Sequence, residues 1–189
     1  MISFLITDPG YYTSYPRLFA AHYVRILRKK RPDAVIFRDK SGRQTRELAR
    51  RFVSISRRFG IKDIFINQHM DLAQAFHTGI HLTGTQHRYL SRMKRSGKKV
   101  IVSTHSKAEI QRCKKAYPDY LLFSPIFFVK NKGNPKGLEE LNQITANIRA
   151  NIIALGGITS DAEVKRLTAA NPYGFASIRY FTKIYKSAL

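Results

Sequence analysis

The chain alternates eight times between a short apolar run rich in branched residues and a longer amphipathic one. Runs 2–7 (ISFLIT), 34–38 (AVIFR), 63–67 (DIFIN), 79–83 (GIHLT), 99–104 (KVIVST), 120–125 (YLLFSP), 151–156 (NIIALG) and 174–179 (GFASIR) read as strands. Segments 15–30, 43–59, 70–76, 88–96, 107–117, 137–147 and 161–171 lie between them with apolar residues at helical spacing, and 182–189 reads as a closing helix. Gly60, Gly79, Gly97, Pro118 and Pro172 stand where helices should stop. Strands that are apolar on both faces suit a parallel sheet covered on both sides. Eight even β–α units predict an α/β chain folded as one compact (β/α)8 TIM barrel over residues 1–189. A doubly wound open sheet is the structural alternative; the evenness of the repeat favours closure.

Bulk properties narrow the function classes. No apolar run approaches the ~18 residues a membrane span needs, and the apolar start is too short for a signal peptide, so a cytoplasmic chain with no membrane partner is expected. A single cysteine, Cys113, rules out intramolecular disulfides and multi-cysteine zinc sites. Lys and Arg number 34 against 12 Asp and Glu, a net charge of +22, which favours anionic partners. The basic runs 25–31, 50–58, 88–99 and 112–115 fall on helical segments and interleave with apolar positions. They read as solvated helix faces dispersed around the barrel. With no recognition helix or aromatic binding motif, nucleic acid is not expected as a partner.

Barrel enzymes react where the strands end. Strand 7 ends in Gly156-Gly157 and strand 8 runs through Ser177, Ile178 and Arg179. These last two loops are the usual phosphate site of such barrels. Glycines let the backbone approach an anion, a helix start follows near Ser160, and Arg179 adds a charge, unless it is only a surface arginine. Arg38 and Lys40, two apart at the end of strand 2, point the same way and suggest a second anion site; pairing with Asp8 or Asp39 is the plain alternative. Asn67, Ser103 and Lys132 complete the candidate substrate contacts. His105 follows strand 5, where a histidine is a credible general acid/base. Residues 67–87 hold His69, His77, His81 and His87, but on different elements and without converging carboxylates, so no metal site is expected.

In order, "FLITD", "FRDK", "INQHMDLAQAFHTGIHL", "VSTHS", "DYLLFSPIF" and "IALGGIT" resemble the thiamine phosphate synthase/TenI superfamily along nearly the whole chain. The synthases of that family join hydroxymethylpyrimidine pyrophosphate to thiazole phosphate with magnesium held by two aspartates. The matching positions here are Gln68 and Gln86, and neutral amides are poor magnesium ligands. Of the family's Thr-x-Thr-Lys pyrophosphate clamp, Val129 and Asn131 replace the threonines and Lys132 remains. The resemblance is therefore nearest the TenI branch. It implies a thiazole tautomerase with His105 as acid/base, a thiazole phosphate-type substrate and no cofactor. It also implies that His81 is the family's structural histidine. A thiamine phosphate synthase, which would need Mg²⁺, is the first alternative. A non-catalytic phosphometabolite- or nucleic-acid-binding barrel is the second. Homodimer formation is left open.

Overall fold

The structure is a computed structural model that describes residues 1–182. Eight parallel strands close into a barrel in sequence order. They are β1 (Ile2–Ile6), β2 (Ala34–Phe37), β3 (Asp63–Asn67), β4 (Gly79–Leu82), β5 (Val100–Thr104), β6 (Tyr120–Phe123), β7 (Ile152–Leu155) and β8 (Gly174–Ser177). Because β1 pairs with both β2 and β8, the sheet has no edge, and the open-sheet alternative is settled in favour of closure. The helices are α1 (Pro9–Tyr12), α2 (Pro16–Lys29), α3 (Thr45–Arg58), α4 (Met70–Ala75), α5 (Leu90–Arg95), α6 (Lys107–Lys114), α7 (Gly137–Asn147), α8 (Asp161–Leu167) and α9 (Arg179–Thr182). Beyond Thr182, the closing helix expected over 182–189 lies outside the described residues. Among the described residues, no helix is long and apolar enough to cross a membrane.

Strand alternation divides the core in two. Phe4, Ile6, Ile36, Phe65, Ile101, Tyr120, Leu122 and Ile153 fill the barrel interior. Their neighbours, such as Leu5, Val35, Ile66 and Val102, pack outward under the helices. The rings of Phe4 and Tyr120 meet edge-on with centroids 5.1 Å apart, plugging the end where the strands begin. In α2, Phe19, Tyr23, Ile26 and Leu27 share the buried face, and Pro16 opens the helix.

Several boundaries differ from those expected. Strand 8 stops at Ser177, because its hydroxyl accepts from the Tyr180 amide (3.1 Å) and so turns Arg179 into the start of α9. The helix expected at 88–96 is preceded by a 3₁₀ turn over Gly84–Tyr89, initiated by reciprocal capping between Thr83 and Gln86. The α8 segment ends at Leu167 and passes into a 3₁₀ turn over Thr168–Ala170.

The fold also sorts charge. Each outer helix runs antiparallel to the strands, so its last turn lies where the strands begin. Those last turns are basic: Arg28 and Lys29 in α2, Arg57 and Arg58 in α3, Lys94 and Arg95 in α5. The same holds for α6 and α8. First turns at the opposite end are acidic, as in α3 (Glu47), α6 (Glu109), α7 (Glu139, Glu140) and α8 (Asp161, Glu163). Both placements complement the helix dipole. The basic residues thus stand on helices all round the barrel, with those of the last turns at the end where the strands begin.

Closure depends on the absence of a side chain at Gly174. A Cβ there would collide with the Ile2 carbonyl oxygen and lie 2.8 Å from its Cγ1. Gly174→Ala should therefore destabilise the barrel by about 1–3 kcal/mol. At roughly 2–4 °C per kcal/mol, thermal unfolding should show the loss directly.

Candidate active site

The alternation that buries Phe65 and Ile101 inside the barrel also turns Asn67 and Ser103, two residues further along, into its upper rim. Arg38, His81 and Ser124 join them, and a cavity of about 490 Å³ opens at this mouth. All the substrate-, phosphate- and acid/base candidates read from the sequence line it: Arg38, Lys40, Asn67, Ser103, His105 and Lys132 on one side, and Gly156, Gly157, Ser177, Ile178 and Arg179 on the other. Gln68 also lines it, as do Tyr11, Ser124 and Lys130, which the sequence pattern does not single out. Tyr11 arrives on α1, which begins at Asp8-Pro9-Gly10 with the Asp8 side chain accepting from the Gly10 amide (3.0 Å). That Asp-Pro start is a helix signal the broad periodicity obscures.

At the floor of the mouth lies a fixed polar chain. Asn67 Nδ2 donates to the His81 carbonyl (3.3 Å) and also approaches His81 Nδ1 (3.0 Å). Nδ1 is therefore the acceptor, and Nε2 carries the proton donated to Ser103 Oγ (2.8 Å). His81 is 4% exposed, and burial, reinforced by the Arg38 charge, pushes its pKa down to about 3. It stays neutral and leaves the Ser103 hydroxyl its own proton to donate.

Cations gather above this floor. Arg38 forms an ion pair with Asp8, so the plain alternative holds for that residue. Lys40 makes no ion pair among the described residues, and the positive charges of Arg38 and, less strongly, Lys132, together with partial burial, lower its pKa. A site that crowds its own cations is suited to an anion that would relieve them.

Across the mouth, Gly156 (φ 102°) and Gly157 (φ 73°) hold backbone conformations open to glycine. Their lack of side chains is required first by packing. A Cβ on Gly156 would lie 2.8 Å from Pro125 Cα, and one on Gly157 would lie 2.5 Å from Phe127 Cβ. The Ser177 hydroxyl donates to the Ile158 carbonyl (2.6 Å), tying the two loops together.

His105 is exposed at the rim, and its Nδ1 lies 3.0 Å from the Ser124 carbonyl. A carbonyl only accepts, so Nδ1 is the donor, and Nε2 makes no hydrogen bond among the described residues.

The magnesium that the synthase alternative would need does not fit these residues. Gln86 Oε1 accepts from the Thr83 amide (3.3 Å), and its Nε2 donates to the Gln68 carbonyl (3.0 Å). The amide thus staples two loops where the metal carboxylate would stand. Asp8 is held by Arg38, and Asp39 accepts from Ser41 and Thr45 (2.7 and 2.8 Å). The other histidines of the rich stretch point to separate tasks. His87 Nε2 donates to the Ser103 carbonyl (2.8 Å), His69 precedes α4, and His77 occupies a turn. Among the described residues, no three His, Cys, Asp or Glu side chains converge as metal ligands.

The buried neutral His81 sets an acid limit on the fold. Its folded pKa lies below the ordinary histidine value, so between about pH 6.5 and 3 the unfolded chain binds a proton that the folded chain does not. Stability should be fully present above about pH 6.5 and fall as pH drops through that window. In urea unfolding at pH 7.5 and 5, the His81→Gln variant should be less stable at both values yet lose less between them. An equal loss would show that His81 is not the group responsible.

The comparisons agree with this geometry. A family model described as thiamine monophosphate synthase matches residues 4–181. The chain is 30% identical over 147 residues to a putative thiamine-phosphate synthase of Geobacter sulfurreducens, covering 75% of this chain and 68% of that protein. It is 34% identical over 128 residues to a thiamine-phosphate synthase of Pelotomaculum thermopropionicum, covering 64% of this chain and 58%, less than two thirds, of that relative. The barrel superposes on thiamine phosphate pyrophosphorylase from Pyrococcus furiosus with a TM-score of 0.80 at 20% identity, covering 94% and 85% of the two chains. The Pyrococcus furiosus tryptophan synthase alpha-subunit shares the same fold at 10% identity, with a TM-score of 0.74. The chain belongs to the thiamine monophosphate synthase (TMP-TENI) family.

Proposed function

We propose that the chain acts on a thiazole phosphate in thiamine biosynthesis, and that its reaction is a cofactor-free 1,3-proton shift converting a thiazole carboxylate phosphate to its aromatic tautomer. One observation carries this reading: a histidine base, His105 Nε2, stands at the rim of a cavity with a glycine cradle on one wall and crowded cations on the other. The substrate phosphate sits against Gly156, Gly157 and the backbone from Ser177 to Arg179. Its carboxylate meets Lys40 and Arg38. Nε2 takes a proton from the ring, and the imidazolium returns one to the exocyclic carbon, so proton count and charge balance. Aromatisation supplies the driving force. The step uses no metal.

Condensation of thiazole phosphate with a pyrimidine pyrophosphate is the second reading. The names of the relatives favour it over the tautomerase, because those proteins are called thiamine-phosphate synthases. The persistence of Ser103 and Lys132 at the mouth also suits it. Against it stand Gln68 and the stapled Gln86, which leave that reaction's magnesium without carboxylates.

Thiamine phosphate formation from the non-aromatic tautomer, pyrimidine pyrophosphate and Mg²⁺ separates the two. Acceleration only when an authentic synthase is added is the expected result. Product without that synthase would make this chain the condensing enzyme. In the same assay, His105→Ala should lower kcat at least about tenfold with the fold intact, since positioned acid–base catalysis contributes about 10²–10⁴-fold. Arg38→Ala should act mainly on KM. An unchanged rate in the first case, or an unchanged KM in the second, removes that residue from its role.

A further inference from the structure

A second hollow lies at the opposite end of the barrel from the mouth. A groove of about 630 Å³ runs under the starts of β3, β4 and β5, lined by Arg57, Lys62, Lys98, Lys99 and His77. It continues past Lys62 and Lys99 into an adjoining hollow that adds Arg31. Three carboxylates share this rim, and they pair Lys99 and Lys94 but not Arg31, Lys62 or Lys115. Asp33 accepts from the Ser3 amide and hydroxyl, Asp63 from Lys99 and the Tyr120 hydroxyl, and Asp119 from Lys94 and the Val100 amide. Some of the cations cap helix carbonyls, as Arg57 does at Phe76 and Lys98 at Ala73 and Thr78. Helix ends alone do not explain the exposed Arg31, Lys62 and Lys115, which stand in the connections that follow.

Two exposed tyrosines stand at the same end of the barrel, outside the groove lining, and the Tyr173 ring packs on Tyr120 with centroids 5.9 Å apart. Tyr117, on the connection after α6, is 81% exposed, and Tyr173, just before β8, is 48% exposed. Tyr117 also holds a left-handed backbone (φ 51°), where glycine or asparagine would rest without strain.

We propose that this rim binds single-stranded nucleic acid, its phosphates following the cationic groove and its bases stacking on Tyr117 and Tyr173. Unpaired bases need open π-faces and a charged track, and this rim presents both. The groove is concave and lined by several cations, which suits a strand better than the flat face of a bilayer. The site lies at the far end of the barrel from the catalytic mouth and is independent of the reaction proposed there.

The test is fluorescence anisotropy of a labelled 20-nucleotide oligouridine at about 0.1 M salt. The triple variant Arg31→Glu, Lys62→Glu, Lys115→Glu should weaken binding at least tenfold and flatten the log–log salt slope by about 2, at about 0.7 per lost phosphate contact. A charge-matched control at the mouth end (Arg17→Glu, Arg43→Glu, Lys107→Glu) should change affinity less than threefold. Tyr117→Asn should weaken binding about fivefold or more while thermal stability holds or rises, because asparagine suits that backbone. Equal weakening by the two triples would reduce the effect to bulk charge and overturn the proposal. So would absence of binding to the wild-type chain, or retention on phosphatidylglycerol vesicles that excess oligouridine cannot displace.

Discussion

A parallel sheet keeps two unsatisfied edges unless its first and last strands pair, and here β1 pairs with β8 from Ile2–Gly174 through Leu5–Ser177. That closure sets everything above it. Once the ring is complete, every inward position is fixed by period two, and the rim where the strands end receives a polar residue from several strands at once. Closure also brings the loops after β7 and β8 next to each other, and the Ser177 hydroxyl locks them through Ile158. The glycine cradle and the cation cluster then face one another across a single cavity.

The mouth divides its labour by burial. His81, deep and neutral, is bonded at both ring nitrogens and serves to orient Asn67 and Ser103. His105 is exposed and bonded only at Nδ1, which leaves Nε2 facing the rim without a partner among the described residues. Two histidines of the same chemistry thus sit in opposite environments, one desolvated and saturated, the other exposed and bonded at one nitrogen. The Gln86 staple extends the same logic: an amide can satisfy a donor and an acceptor at once, holding loops that a pair of carboxylates would hold only around a cation.

Much of this was legible in the sequence, because it rests on periodicity. The eight strands appear from branched apolar runs, and the strand-end residues follow from barrel geometry, so His105, Arg38 and the Gly156-Gly157 pair could be placed at one mouth. What the sequence hid was set by tertiary contact. Which aspartate pairs with Arg38 depends on where α1 begins. The glycines at 156 and 157 were read as room for an anion, whereas Pro125 and Phe127 demand them as well. Arg179 looked like a strand residue until the Ser177 side chain turned the chain into α9. That the basic runs 25–31, 50–58 and 88–99 all close their helices at the end where the strands begin follows only once helix direction is known.

The central claim is that fixed side-chain cations and backbone, with no divalent metal, hold the substrate's anionic groups at the mouth. Calorimetric titration of the wild-type chain with thiazole carboxylate phosphate, once in EDTA and once in excess Mg²⁺, tests it directly. The account predicts the same affinity in both, with Lys40→Ala weakening it equally in each. Binding that appears only with Mg²⁺ would contradict it, and would mean that Gln68 and Gln86 are part of a metal site after all.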